Sequence, residues 1–175
     1  PIDGTKGYVR QYPFFSTQIA LMQHGQLILG VSSGTMLNEL AWAEKGSGAW
    51  LNGEKLAVSQ IADPDAAAVS TRHLRSLAKS DGWSSLGEIL GRADRTRGYG
   101  DFYHYHLLAA GKIEAVIESD VNILDIAALA VIVTEAGGRF TDLNGAPPGL
   151  ATRSVLAANP ALHAIYLDRL DGLVT

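Results

Sequence analysis

From Phe14 to Ser33 two runs rich in β-branched and apolar residues, FFSTQIALM and QLILGVSS, flank the short break at His24-Gly25 and predict a β-hairpin. A second tight hairpin is expected at Asn52-Gly53, which stands between two short apolar stretches. The first third of the chain therefore reads as antiparallel sheet. After ADPD at Ala62–Asp65 the pattern changes to a strand around Ala67–Thr71, a helix around Ser84–Arg92, and a helix over Asp101–Ala110 closed by Gly111. A strand follows at Ile113–Ser119. From about Leu124 to Ala136 nearly every residue is apolar, which predicts a helix buried on most sides and ended by Gly137-Gly138. RFTDL and SVLAA read as short strands, and Asn159-Pro160 supplies the N-cap and first position of a last helix. Strand–helix alternation after an antiparallel opening predicts a layered α/β architecture, with 1–65 and 66–175 as its two parts.

Composition narrows the function classes. With 175 residues, 47% apolar and 18% charged, the chain can build one packed domain or two layers sharing a core. A net charge of −4 without a basic stripe argues against nucleic acid or an anionic membrane as partner, and in favour of a small molecule. The absence of Cys excludes disulfides, thiolate metal sites and a cysteine nucleophile, so any metal must be held by oxygen or imidazole. The most apolar stretch, Ile19–Val31, is broken at Gln23-His24-Gly25-Gln26 and falls short of the roughly 20 residues that a membrane span needs. With no signal-peptide pattern either, the chain reads as soluble and cytoplasmic.

Two aspartates stand at unusual junctions: Asp3 in PIDGT and Asp125 in NILDIAALAVIVTEAGG. Taken singly, each has an ordinary explanation, Asp3 in a β-turn and Asp125 as a helix N-cap. His104 and His106 in YHYH are two apart on a helix and so do not share a face; one is expected to pack and the other to face outward. KGSG at Lys45–Gly48 lacks the end of a P-loop, and GYG at Gly98–Gly100 lacks the third glycine of a dinucleotide fingerprint; both read as turns.

Taken together, PIDGTK and LDIAALAVIVTEAGGRFTD resemble the two signatures of the inositol monophosphatase superfamily, D-P-I-D-G-T and W-D-x-A-A followed by E-A-G-G. AEKGSGAWLNGEKLAVS resembles the glycine-rich hairpin between them. The resemblance implies an α/β sandwich of sheets and helices, in which 1–65 is the remainder of an N-terminal antiparallel-sheet domain. It also implies a Mg²⁺-dependent phosphomonoesterase that acts through metal-activated water, with no covalent phospho-enzyme, and that forms a homodimer. In that pattern the Ile2 carbonyl ligates a first metal and Asp3 and Asp125 a second, Gly4 and Thr5 present N–H groups to phosphate, and Thr5 orients the attacking water. RGYGDF at Arg97–Phe102 resembles the histidinol-phosphatase branch, which implies that Asp101 and Glu118 contact the substrate and points to L-histidinol phosphate and histidine biosynthesis. Lys6 is a candidate phosphate neighbour. Inositol-1-phosphate or another sugar phosphate is the alternative substrate, and a catalytically dead remnant acting as a binding or oligomerisation module is the alternative from a different class.

Three departures from the family pattern carry expectations. Leu124 stands for the usual Trp, and Gly7 for a frequent Asn, so a looser loop is expected after the phosphate site. In the family pattern a metal-bridging Asp precedes Pro1, and a metal-binding Glu and covering helices lie further upstream. The chain is therefore expected to be incomplete, with an open apolar sheet face.

Overall fold

The computed structural model describes residues 2–170; Pro1, which opens the Asp3 motif, and residues 171–175 lie outside the described residues. The first sheet is a meander of six antiparallel strands in chain order: β1 (Ile2–Asp3), β2 (Ser16–Gln23), β3 (Gln26–Gly34), β4 (Glu39–Glu44), β5 (Gly48–Leu51) and β6 (Glu54–Lys55). Both anticipated hairpins are present, and in each the two turn residues have positive φ: 50° and 76° at His24-Gly25, 51° and 88° at Asn52-Gly53. Positive φ at both central positions matches the right-handed twist of the flanking strands, and Asn-Gly tolerates it best.

The second sheet contains β7 (Ala68–Arg72), β8 (Arg95–Arg97), β9 (Ala115–Ser119), β10 (Arg139–Thr141) and β11 (Ser154–Ala158), in the order β10-β11-β9-β7-β8. β7 runs parallel to both β8 and β9, while β11 is antiparallel to β9 and β10. Among the described residues six α-helices complete the fold: α1 (Thr5–Val9), α2 (Leu74–Leu77), α3 (Trp83–Arg92), α4 (Tyr103–Ala109), α5 (Ile123–Glu135) and α6 (Pro160–Arg169). α4 and α5 lie between the sheets. This is why α5 is apolar all round: Ile126, Leu129, Ile132 and Val133 are buried among residues of both sheets. The other face of the second sheet is covered by α2, α3 and α6, with Leu77, Leu86, Ile89, Leu162 and Tyr166 packed over Val69, Ile117 and Leu156. No helix among the described residues is long and apolar enough to cross a membrane.

The layering corrects the reading of the two histidines, because both are buried, His104 at 0% and His106 at 1% exposure. A helix between two sheets has no outward face. His104 points to the second sheet, at Ser70, and His106 to the first, at Ser32 and Glu39. The expected loose loop at Gly7 is also absent: Gly7 is buried within α1, where an added Cβ would meet the Phe14 carbonyl oxygen at 2.7 Å. The outer face of the first sheet is open, as anticipated, with Ile19, Leu21, Leu40 and Trp42 exposed.

α5 ends where the glycine pair predicts: Gly138 N–H donates to the Val133 carbonyl and Gly137 N–H to that of Thr134, with Gly137 at φ 91°. Glu135 then accepts from the backbone N–H groups of Gly46 and Gly48, both at 3.0 Å, tying the KGSG turn to the helix end. Near its middle, α5 lies on β3 so closely that a Cβ at Gly30 would sit 2.3 Å from the Ala128 carbonyl oxygen. Gly30→Ala should therefore cost roughly 2 kcal/mol of stability through forced displacement, read as a lowered urea midpoint with unchanged slope. An unchanged midpoint would mean that the sheet and helix separate freely.

Candidate active site

β1 passes into α1 through Gly4, at φ 77°, where an added Cβ would lie 2.3 Å from the Phe14 carbonyl oxygen. Only glycine meets both conditions, and the turn joins Asp3 to Thr5. Asp3 pairs with Ser16 in β2 and is buried. The Thr5 hydroxyl donates to the Ile2 carbonyl at 3.1 Å.

Asp125 is not the N-cap of α5. That position belongs to Asn122, whose Oδ1 accepts from Leu124 N–H at 2.9 Å, while its Nδ2 donates to Asp125 Oδ2 at 2.6 Å. Asp125 sits within the first turn, half-buried, where a negative charge also suits the helix dipole. Asp101 caps nothing either: α4 begins after Phe102 with no side-chain cap, and Asp101 has left-handed backbone at φ 45°. Its carboxylate pairs with Arg72 at 2.7 Å.

These separate pieces open on one cleft of about 420 Å³, lined by Ile2, Asp3, Gly4, Thr5, Lys6, Asp101, Asn122 and Asp125, with Tyr12, Arg72 and His73 completing the wall. Six predicted site residues (Ile2, Asp3, Gly4, Thr5, Asp101, Asp125) thus meet. Glu118, expected to contact the substrate, does not line the cleft but stands behind this wall, 1% exposed: its Oε1 accepts from the Tyr105 hydroxyl at 2.6 Å, and its Oε2 lies 4.0 Å from Arg72 Nη1. The sequence reading missed Arg72, His73 and Asn122. Arg72 and Glu118 face each other across the parallel pair β7–β9 near the carboxyl ends of both strands, which is where open α/β sheets place their crevices. A charged residue ending the buried run AVST was the available signal. His73 has φ 55° and shares its Nδ1 proton with the Ser119 carbonyl at 2.6 Å.

The acids crowd one another. Asp3 is pushed up to about 7, first by burial and then by the charge of Asp101, with Arg72 pulling the other way. Burial also raises Asp101 and Asp125, each partly offset by Arg72. Glu118 is raised to about 7 by burial, against the Tyr105 hydrogen bond and Arg72, which favour its charged form. Folded Glu118 thus keeps its proton well above the 4.5 of an ordinary glutamate. Its contribution to stability is fully present below about 4.5 and is lost as pH rises through about 7. Glu118→Gln should flatten the fall in urea stability over this window, leaving a residual slope from Asp3. An unaltered slope would assign the titration to other groups.

The donor set suits a hard cation, since Mg²⁺ is commonly held by one or two carboxylates and completed by water and substrate phosphate. Among the described residues no group of three or more His, Asp or Glu side chains is arranged to hold a metal, so the fit is to a sparse site on Asp3 and Asp125.

A sheet–helix–sheet–helix protein with an acidic cleft at the carboxyl ends of parallel strands is the class that fold and cleft define. The chain belongs to the inositol monophosphatase family, whose model matches residues 1–173. It is 37% identical over 183 residues to the histidinol-phosphatase of Mycobacterium tuberculosis, covering 98% of this chain and 68% of that protein. To the histidinol-phosphatase of Streptomyces coelicolor it is 38% identical over 188 residues, covering 98% and 67%. The solved structure of an inositol monophosphatase from Zymomonas mobilis superposes with a TM-score of 0.90 at 29% identity, covering 98% of this chain and 68% of that one. The chain spans about two thirds of the length of these relatives.

Proposed function

We propose that the cleft belongs to a Mg²⁺-dependent phosphomonoesterase acting on a small phosphate ester, with L-histidinol phosphate as the favoured substrate. The observation that carries this reading is the meeting of Asp3, Asp125 and the Gly4–Thr5 turn in one cleft beside Asp101. Asp3 and Asp125 would hold one ion and the Ile2 carbonyl a second. Once bound, Mg²⁺ would supply Lewis-acid polarisation and a water of lowered pKa. The N–H groups of Gly4 and Thr5 would bind phosphate oxygens. Because the Thr5 proton is already given to Ile2, the hydroxyl oxygen is left to accept from a water O–H and aim its lone pair at phosphorus. Hydrolysis forms one P–O bond to that water and breaks the ester P–O bond, releasing the alcohol and inorganic phosphate. Asp101 would give the counter-charge for an amine, since charge-assisted contacts are the stronger kind. The names of the two histidinol-phosphatases support this choice, and the proposal includes a cytoplasmic homodimer serving histidine biosynthesis.

Two other readings each have an observation in their favour. The inositol monophosphatase likeness favours inositol-1-phosphate. The sparse metal-donor set, Asp3 and Asp125 alone among the described residues, favours a non-catalytic binding or oligomerisation module. Mg²⁺-dependent phosphate release from L-histidinol phosphate and inositol-1-phosphate, measured side by side, separates the three. Faster release from the histidinol ester is the expected result; preference for inositol-1-phosphate would overturn the substrate assignment, and no release from the folded complete protein would overturn catalysis.

A further inference from the structure

We propose that Arg72 is the positioning residue of the head-group subsite, locking Asp101 and Glu118 into one unit that selects phosphate esters of amino alcohols over those of neutral polyols. This rests on the reading that the cleft takes a phosphate ester. Arg72 ends β7 directly opposite Glu118 in the parallel register. Its Nη2 holds Asp101 Oδ1 at 2.7 Å, and its Nη1 lies 4.0 Å from Glu118 Oε2. Glu118 cannot turn away, because its other oxygen takes the Tyr105 hydroxyl. Behind it, Ser70 Oγ accepts from Tyr99 N–H and lies 3.2 Å from His104 Nδ1, while His104 Nε2 lies 3.6 Å from Glu118 Oε2.

The consequence is a fixed charge pattern. Asp101 sits on a left-handed turn after Gly100, and only Arg72 pins its side chain among the described residues. With Oδ1 held, Oδ2 has no protein partner among the described residues and is left for a ligand. A guanidinium beside that oxygen also offers N–H groups to a neighbouring hydroxyl or ester oxygen. An ammonium group vicinal to an oxygen, as in an amino-alcohol phosphate, matches the pair; a polyol lacks the cation.

The test is a double-mutant cycle on the binding of L-histidinol, which carries the amine but no phosphate, followed by NMR titration of wild type, Arg72→Met, Asp101→Asn and the double variant. Each single change should weaken binding about tenfold or more, and the double variant should be no worse than the weaker single, with Arg72→Lys recovering part of the loss. Additive effects, intact affinity in Arg72→Met, or no binding of L-histidinol by wild type would overturn the inference. If Arg72→Met fails to fold, Arg72→Gln takes its place in the cycle. Phosphate release is assayed separately: release with additive binding effects removes only this inference, whereas coupled binding without release from any ester removes only the phosphatase reading.

Discussion

Asp125→Asn in the complete enzyme should lower Mg²⁺-dependent phosphate release at least about a hundredfold while moving the thermal midpoint little, because it removes charge from a preorganised site and spares the packing. The side chain is half-buried and its one hydrogen bond to a side chain, from Asn122, can be remade by an amide. A helix-dipole role alone would give the opposite pattern, a small loss of stability and no loss of turnover. Activity in the variant within a few-fold of wild type would therefore return Asp125 to a structural role. Mg²⁺ binding by calorimetry gives the same answer without substrate: the variant should lose the binding that wild type shows.

Gly4→Ala should be the most damaging single methyl in the site. It combines a positive φ of 77° with a Cβ only 2.3 Å from the Phe14 carbonyl oxygen, so the backbone itself must move. A cost of about 3 kcal/mol follows from strain and overpacking together. Because Gly4 joins Asp3 to Thr5, relief of the clash displaces both, and phosphate release should fall with stability. Retained stability and retained turnover would show that the turn is not held by Phe14.

Most secondary structure was legible because it is governed locally. The Asn52-Gly53 turn, the glycine pair after Ala136 and the Asn159-Pro160 start each state their geometry in two residues, and all three occur where expected. Some short elements were not legible: α1, α2 and β8 have five, four and three residues, too few for periodicity to register, whereas the equally short β10 was read from RFTDL. Chain order and the two motifs also made Asp3 and Asp125 visible, though the pairing rested on family resemblance and not on spacing. Asn122 was hidden because the more acidic Asp125 offered a competing cap three residues on.

The burial of His104, His106 and Glu118 was not written in any local pattern. Local chemistry assigns at least one of the histidines and the glutamate to water; the structure buries all three because α4 is enclosed by two sheets, which supply Ser70 and Ser32 to its histidines while Tyr105 of α4 partners Glu118 on β9. Arg72 became meaningful in the same way, through strands distant in sequence that bring Glu118 opposite it and Asp101 within 2.7 Å. Turn residues, caps and apolar stripes act over a few positions and can be read from the chain alone. Which charges neutralise one another depends on distances between remote segments, and folding alone sets those.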